Sequence, residues 1–255
     1  MTLTPPLQSL KDEVIRLRGY WHRFHEGLIA WSPPFLKAYL AFQSAPWRSG
    51  ALEPTVREFI YIAVDGAVTH LYASGLRRHM DDALRLGATR DEILQVILLT
   101  ASAAAHSTHE LGFSILAEEI PDAIPTMSDR RHGALREDYR AATGSWPAVG
   151  DAVLALAPEF AAGFFGYRQA AWQAGPLPNK TKALVLLAFH ASPTLLNREG
   201  ARHYMREAIR FGASAAEISE VLQLASAIAI HTCTYGVPAL MDAVDEFEAR
   251  PAAGA

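Results

Sequence analysis

The sequence is poor in cysteine and has no strong excess of charge of either sign. Cys233 is the only cysteine among 255 residues, which excludes an intrachain disulfide. The formal net charge is −4, and the lysines and arginines are scattered rather than massed on one stripe, so we do not expect nucleic acid as a partner. We find no run of about 18 uncharged apolar residues and expect no membrane span. The N-terminal stretch MTLTPPLQSLKDEVIRLRG becomes charged too soon for a signal peptide, so we expect a soluble cytoplasmic protein.

The chain instead contains a duplication with a period of 125 residues. Half of the residues are hydrophobic, enough to form a substantial core. Four residues of the first half recur 125 positions later: Trp21 as Trp146, Pro33 as Pro158, Phe35 as Phe160 and Trp47 as Trp172. We therefore predict one copy in residues 1–127 and a second in residues 128–255, packed together as one globular unit.

Apolar residues at spacings of three and four predict that both copies are entirely helical. Long helices are expected from Asp12 to about Trp31 and from Leu135 to Leu156, with SDRRHGALRED at 128–138 as the linker between the copies. Shorter helices are expected up to Trp47, from Arg57 to about Thr69 and from Arg77 to Leu86.

Two local signals end one helix and start the next in each copy. Gly87 occupies a left-handed C-cap position, and Thr89 with Glu92 forms a capping box that Ser214 and Glu217 repeat.

The register of the duplication is ambiguous between Leu52 and His79. Matching histidine to histidine lowers the offset to 124, which aligns Glu58 with Lys182 and His79 with His203. Counting residues back from the glycine that follows the helix, Gly87 in the first copy and Gly212 in the second, aligns His79 with Tyr204 instead.

The order of these motifs resembles the carboxymuconolactone decarboxylase and alkylhydroperoxidase D-like family in a two-copy form. The resemblance lies in REFIYIAVDGAVTHLYASGLRRHMDDALRLGATRDEILQVI and in the matching stretch TKALVLLAFHASPTLLNREGARHYMREAIRFGASAAEISEVLQLASAIAIHTCTYGVPAL. It implies an all-α fold, a duplicated helical bundle of the alkylhydroperoxidase D-like type.

The peroxidase branch of that family carries a Cys-x-x-Cys pair, which this chain lacks. Counted back from the histidines, the cysteine positions are Tyr72 and Gly75 in the first copy and Leu196 and Glu199 in the second. A peroxidatic thiol needs a resolving thiol, so a thiol peroxidase is the disfavoured alternative. Cys233 follows the apolar run ASAIAI, and Thr108 fills its place in the first copy. Both features favour core packing over a reactive thiol.

The decarboxylase branch uses acid–base groups without a cofactor. The resemblance assigns the catalytic glutamate and histidine to Glu58 and His79. A histidine beside a carboxylate suits proton transfer near neutral pH. The segment between these two residues is longer than in short family members, and Glu58 could pair instead with Arg57, Arg77 or Arg78.

Five further residues are candidates for substrate binding. Arg78 could hold a carboxylate, His70 and Tyr72 could line the mouth of a pocket, and His106 and His109 lie on one helix face. Two histidines could also hold a metal, but no third ligand is evident and we expect none. A structural role is the alternative for each of the five.

We therefore expect a cofactor-independent lyase of the carboxymuconolactone decarboxylase type, acting on a small organic acid or lactone. A non-catalytic module that binds a small ligand or supports assembly is the alternative from a different class. An ionisable pocket would favour the enzyme, and a purely apolar pocket would favour the module. We also expect a homo-oligomer, with a trimer as the specific prediction.

Overall fold

The computed structural model describes residues 3–123 and 130–250, and all regular structure in them is helical. The all-α fold class is therefore confirmed. The described residues form helices α1 Pro5–Arg18, α2 Arg23–Trp31, α3 Pro33–Ser49, α4 Pro54–Asp65, α5 Ala73–Arg85, α6 Arg90–Glu119, α7 Arg130–Thr143, α8 Gly150–Leu156, α9 Pro158–Gln173, α10 Asn179–Ala191, α11 Arg198–Arg210, α12 Ala215–Ala227 and α13 His231–Glu248. Short 3-10 turns lie at Pro121–Ala123 and Ile228–Ile230.

The predicted helix ends are confirmed where a local signal marks them. Thr89 caps α6, with its side chain accepting from the Glu92 amide while the Glu92 carboxylate accepts from the Thr89 amide at 2.7 Å. Ser214 and Glu217 make the same two bonds before α12. Gly87 adopts a φ of 94°, which favours glycine because it has no Cβ.

Three sequence predictions at the N-terminal part of each copy are wrong. The helix expected from Asp12 to Trp31 is two helices, because Gly19 adopts a φ of 71° and ends α1. The helix expected over 135–156 is likewise divided into α7 and α8, with Gly144 at a φ of 92°. The linker expected over 128–138 is helical from Arg130 onward.

The backbone between α4 and α5 decides the register of the duplication. Leu71 has a φ of 48° and Leu196 has a φ of 49°, a left-handed conformation that leucine rarely adopts. These two unusual residues are separated by 125 positions, and helices α5 and α11 begin and end 125 positions apart.

The hydrogen bonds that close the two loops agree with this spacing. The Tyr72 amide donates to the Asp65 carbonyl at 2.8 Å, and the Asn197 amide donates to the His190 carbonyl at 2.9 Å. The offset of 124 is therefore wrong here.

His79 corresponds to Tyr204, Glu58 to Ala183 and Arg57 to Lys182. Matching His79 to His203 gives the wrong register, since loop length, rather than one side-chain identity, sets helix phase.

Two compact units cut across the two sequence copies. Unit 1 comprises the described parts of residues 1–50 and 226–255, and unit 2 comprises residues 51–225. The predicted copy boundary at 127/128 lies outside the described residues and remains a prediction.

Each unit joins the last helix of one copy to the first three helices of the other. In unit 1, Cys233 and Val237 of α13 pack against a core that includes Phe24, Leu28 and Leu36. In unit 2, Ala105 and Phe113 of α6 pack against the core formed by α7, α8 and α9. Helices α4 and α10 pack on each other inside unit 2 and are buried along most of their lengths.

The expectation that the chain has no long apolar run is wrong for the stretch Ala215–Glu248. An 18-residue window within its 34 residues has a mean hydropathy of 1.3, sufficient by length and composition to cross a membrane. Core helices of soluble proteins also meet this criterion. The 3-10 turn at Ile228–Ile230 separates α12 from α13, and Pro238 lies within α13. The cytoplasmic location remains a prediction.

Candidate active site

Glu58 and His79 form a nearly buried hydrogen-bonded pair in unit 2. The Oε2 atom of Glu58 lies 2.7 Å from Nδ1 of His79, and the two side chains are 6% and 13% exposed. The longer segment between them has therefore not carried Glu58 out of reach. An ionised Glu58 accepts the Nδ1 proton, which leaves Nε2 of His79 as the atom that can exchange a proton with a substrate.

One face of α4 supplies most of the surroundings of His79. Glu58, Tyr61 and Asp65 follow one another at spacings of three and four residues and therefore share that face. The Tyr61 ring stacks on the His79 imidazole, with centroids 4.4 Å apart and planes inclined by 22°. This stacking restricts rotation of the imidazole. Tyr61 and Asp65 were not among the predicted site residues, although their spacing from Glu58 is a usable signal.

Asp65 places a second carboxyl group near the same imidazole. Its Oδ2 atom lies 3.9 Å from Nε2 of His79, within ion-pair range but too far for a hydrogen bond. The residue is fully buried, and burial raises the pKa of its carboxyl to about 8. Asp65 is therefore largely protonated at neutral pH. Gly75 permits the close approach of α5, because a Cβ there would overlap the Asp65 carboxyl.

The arginines considered as partners for Glu58 have carboxylate partners of their own. Arg57 donates to Glu220 at 2.6 Å in a buried ion pair. On the surface of α5, Arg77 pairs with Asp81 at 3.2 Å and Arg78 pairs with Asp82 at 3.3 Å. The half-buried Arg78 is held within its own helix by this ion pair.

His70 and Tyr72 lie in the loop between α4 and α5. Their rings are 5.8 Å apart and both are half-buried. A ring nitrogen of His70 lies within 4.8 Å of a carboxyl oxygen of Asp65, and burial lowers the pKa of this histidine. The structure thus brings His70 toward the group formed by Glu58, Asp65 and His79.

His106 and His109 lie elsewhere in unit 2 and differ from each other. The ring of His109 is 2.7 Å from the carbonyl oxygen of Ala105 in its own helix and packs against Phe160 and Phe164. His106 is buried and lines a cavity of about 260 Å³ between α6, α7, α9 and α11. Neither Glu58 nor His79 lines that cavity.

The cavity beside His106 is rich in ionisable and aromatic side chains. The lining includes Arg168, His203, Tyr204 and Glu110, none of which was a predicted site residue. The sequence signal that could have found Arg168 is its departure from the repeat, since Gln43 occupies its place in the first copy. A second cavity of about 490 Å³ is lined mostly by apolar residues of α4, α5 and α6.

Cys233 packs against the apolar core of unit 1. Burial raises the pKa of its thiol, so the thiolate is disfavoured near neutral pH. Its neighbours around a cavity of about 330 Å³ include Phe35, Tyr39 and Phe42. The environment is that of a packing residue.

Comparison with known proteins agrees with this fold and duplication. The model of the carboxymuconolactone decarboxylase family matches residues 33–117 and again residues 158–249. One solved structure, provisionally described as a gamma-carboxymuconolactone decarboxylase subunit from Burkholderia xenovorans LB400, is 32% identical to the chain. The match covers 96% of this chain and 99% of that one, with a TM-score of 0.87. No curated protein matches the chain significantly. The two family matches and the close structural likeness together show that the chain belongs to the carboxymuconolactone decarboxylase family, in a tandem two-copy form.

Proposed function

We propose that the protein is a cofactor-independent acid–base enzyme that decarboxylates a small unsaturated organic acid or lactone. The observation that carries this proposal is the nearly buried pair formed by Glu58 and His79, with Oε2 and Nδ1 at 2.7 Å. Family membership and the name of the Burkholderia relative support decarboxylation as the reaction.

The reaction needs a proton donor at the carbon that loses CO2. The bond between the carboxylate carbon and the carbon that bears it breaks. Its electron pair is delocalised into the neighbouring carbonyl group as an enolate. His79, protonated on Nε2, then donates that proton to the carbon, while Glu58 holds the ring through Nδ1 and stabilises the cationic imidazolium before transfer. Solvent returns a proton to His79, so CO2 and the protonated product leave an unchanged enzyme.

Asp65 would assist by remaining neutral. A second ionised carboxylate would hold the imidazolium proton more tightly and make His79 a poorer acid. Because burial raises its pKa to about 8, Asp65 adds little negative charge at neutral pH. It would then act as a positioning residue beside Nε2.

The second copy would not carry the same chemistry. At the structural offset of 125 residues, Tyr204 stands in place of His79 and Ala183 in place of Glu58. The thiol peroxidase alternative is further disfavoured by the packing and raised thiol pKa of Cys233.

The test of the proposed function is a substrate screen followed by matched substitutions. Muconolactones, β-keto acids and related unsaturated acids would be screened for CO2 release. With an active substrate, His79→Ala or Glu58→Gln is expected to lower kcat by roughly 10²-fold or more, the usual effect of removing a positioned acid or base.

His203→Ala is the matched control, because His203 lies on α11, the helix equivalent to α5, outside the proposed acid–base group. It is expected to retain most of kcat. Thermal unfolding of each variant would separate loss of chemistry from loss of fold. Equal sensitivity of His79 and His203, or full activity of both first-copy variants, would contradict the proposal.

A further inference from the structure

The cavity beside His106 contains a buried cation without a contacting carboxylate. The Arg168 side chain is buried, and its Nη2 donates to the Tyr204 hydroxyl at 2.8 Å. Within the part of the chain that the structure describes, no aspartate or glutamate oxygen lies within 4.0 Å of its guanidinium. Glu110, which lines the same cavity, interacts with Arg168 electrostatically but forms no ion pair with it. A buried charge is costly unless it is paired, so the partly compensated arginine favours an anion in the cavity.

The neighbouring histidines offer further hydrogen bonds. Nδ1 of the buried His106 has no hydrogen-bond partner among the described residues. Nε2 of His203 lies 3.5 Å from Oγ of Ser145. Burial, with a smaller contribution from the positive charge of Arg168, lowers the pKa of both histidines. The two imidazoles are therefore neutral near pH 7 and can each donate one hydrogen bond without adding charge.

The walls and volume of the cavity limit the size and shape of its ligand. Trp146 and Trp172 both line the cavity, so aromatic side chains form part of its wall. Its volume of about 260 Å³ lies just below the usual range for small-ligand sites, about 300–1,000 Å³. These features select a small, planar molecule, of about one ring, that bears a carboxylate.

The two copies of the duplication differ at the positions of Arg168 and Tyr204. The first copy has Gln43 at the position of Arg168 and His79 at the position of Tyr204. The second copy thus has an arginine and a tyrosine where the first has a glutamine and the candidate proton donor. These two replacements suit the second copy to binding an anion rather than to transferring a proton.

We propose that the cavity around Arg168 is a second binding site, separate from Glu58 and His79, for a small planar carboxylate. The guanidinium binds the carboxylate, His106 and His203 donate to its oxygens or to a neighbouring polar group, and the two tryptophans pack against the planar body. The site stands independently of the proposed decarboxylation.

Calorimetric titration of the full chain with benzoate tests this site, with benzamide as the neutral probe of the same shape. Benzoate is expected to bind at least about tenfold more tightly than benzamide. Arg168→Met is expected to weaken benzoate binding by about tenfold or more, the scale of losing a charged hydrogen bond. Arg198→Met removes an equal charge from an exposed position of α11 outside the cavity and should leave binding unchanged.

A second variant covers the case in which Arg168→Met does not fold. His106→Leu removes a buried imidazole with an unpartnered nitrogen, so the fold should tolerate it, and benzoate binding should weaken severalfold. In the double variant Glu58→Gln, His79→Ala, the benzoate binding that is sensitive to Arg168→Met should persist, because neither residue lines this cavity; its loss would place the binding at the proposed acid–base pair instead. Equal affinity for benzoate and benzamide, or no benzoate binding at millimolar concentration, would overturn the inference. A benzoate-bound crystal structure with the ligand away from Arg168 would also overturn it.

Discussion

Asp65 and His190 occupy the same position of the duplicated sequence, and burial neutralises both. Each side chain is fully buried at the end of its helix, α4 or α10. Burial raises the pKa of the Asp65 carboxyl to about 8, whereas burial with the nearby charge of Arg168 lowers the pKa of His190 to about 3. An acid and a base thus reach the same neutral state near pH 7, because the charged form of either would lose its hydration.

Asp65 makes a testable contribution to the pH dependence of stability. Its folded-state pKa of about 8 lies above the ordinary value of 3.8, so the folded protein retains this proton more tightly than the unfolded chain. The associated stability is complete below about pH 4 and declines as pH rises toward 8. Buried histidines such as His190, whose pKa is lowered, contribute with the opposite sign, so the test is the difference between variant and wild type. Asp65→Asn should make the change in Tm from pH 5 to pH 8 less negative, or more positive, than it is in the wild type, measured by differential scanning calorimetry.

The control for this experiment is Asp81→Asn, at a partly exposed position of α5. Its Tm should follow the wild-type dependence on pH. If the Tm of Asp65→Asn has the same dependence on pH as that of the wild type over this interval, then Asp65 makes no such contribution.

Cys233 is expected to be dispensable for turnover. Its thiol packs against the core of unit 1 and its pKa is raised, so neither nucleophilic nor redox chemistry is favoured. Cys233→Ser should retain kcat on the true substrate and lose about 1 kcal/mol of unfolding free energy. The wild type should show no sustained hydroperoxide reduction with dithiols. Strong peroxide turnover that disappears in Cys233→Ser would show that the thiol is catalytic.

At the scale of elements, the capping boxes before α6 and α12 act on equivalent helices. Thr89→Ala and Ser214→Ala each remove the side-chain acceptor for an amide in the first turn. Each should lower the unfolding free energy by about 1 kcal/mol, measured by urea denaturation. Thr89→Ser keeps the acceptor and should remain close to the wild type. A loss from Thr89→Ser as large as that from Thr89→Ala would point to the methyl group instead of the cap.

The loops between helices determine which residues of the two copies are equivalent. The left-handed residues Leu71 and Leu196 and the amide bonds that follow them place α5 and α11 in the same phase. Histidine identity alone suggested the other phase, which would have paired Glu58 with Lys182. Adjacent positions on a helix differ by about 100°, so an error of one residue changes which side chains face the core.

At the scale of the whole molecule, we propose that the chain forms a homo-oligomer, with a trimer as the specific expectation. Two helices leave large apolar side chains exposed in the single chain: Leu111 of α6 is 65% exposed and Tyr235 of α13 is 63% exposed. Leu240 and Phe247 of α13 are exposed as well. Apolar surface of this kind is commonly covered by another subunit.

Light scattering over micromolar concentrations measures the association state directly. The wild type should have the mass of an oligomer, and Leu240→Asp should shift it toward the monomer. Leu84→Asp, which introduces the same charge at an exposed leucine of α5, is the matched control and should keep the wild-type mass. A wild-type monomer throughout this range would exclude the proposed assembly.

The sequence alone determined the features that depend on neighbouring residues. Helix periodicity, the capping boxes and the glycine at the end of α5 each act within a turn or two, so they could be recognised without a structure. The duplication and the family resemblance were recognisable because equivalent positions recur along the chain. The family resemblance also implied Glu58 and His79, whose Oε2 and Nδ1 atoms the structure places 2.7 Å apart.

Only the tertiary structure decided the features that join distant parts of the chain. The last helix of each copy packs with the first helices of the other copy, and no local signal specifies that exchange. The contact of Arg168 with Tyr204 and the neutral state of Asp65 likewise depend on which helices bury them. Burial changes the pKa of an ionisable group and the cost of a charge, and burial is a property of packed helices that spacing along one helix does not contain.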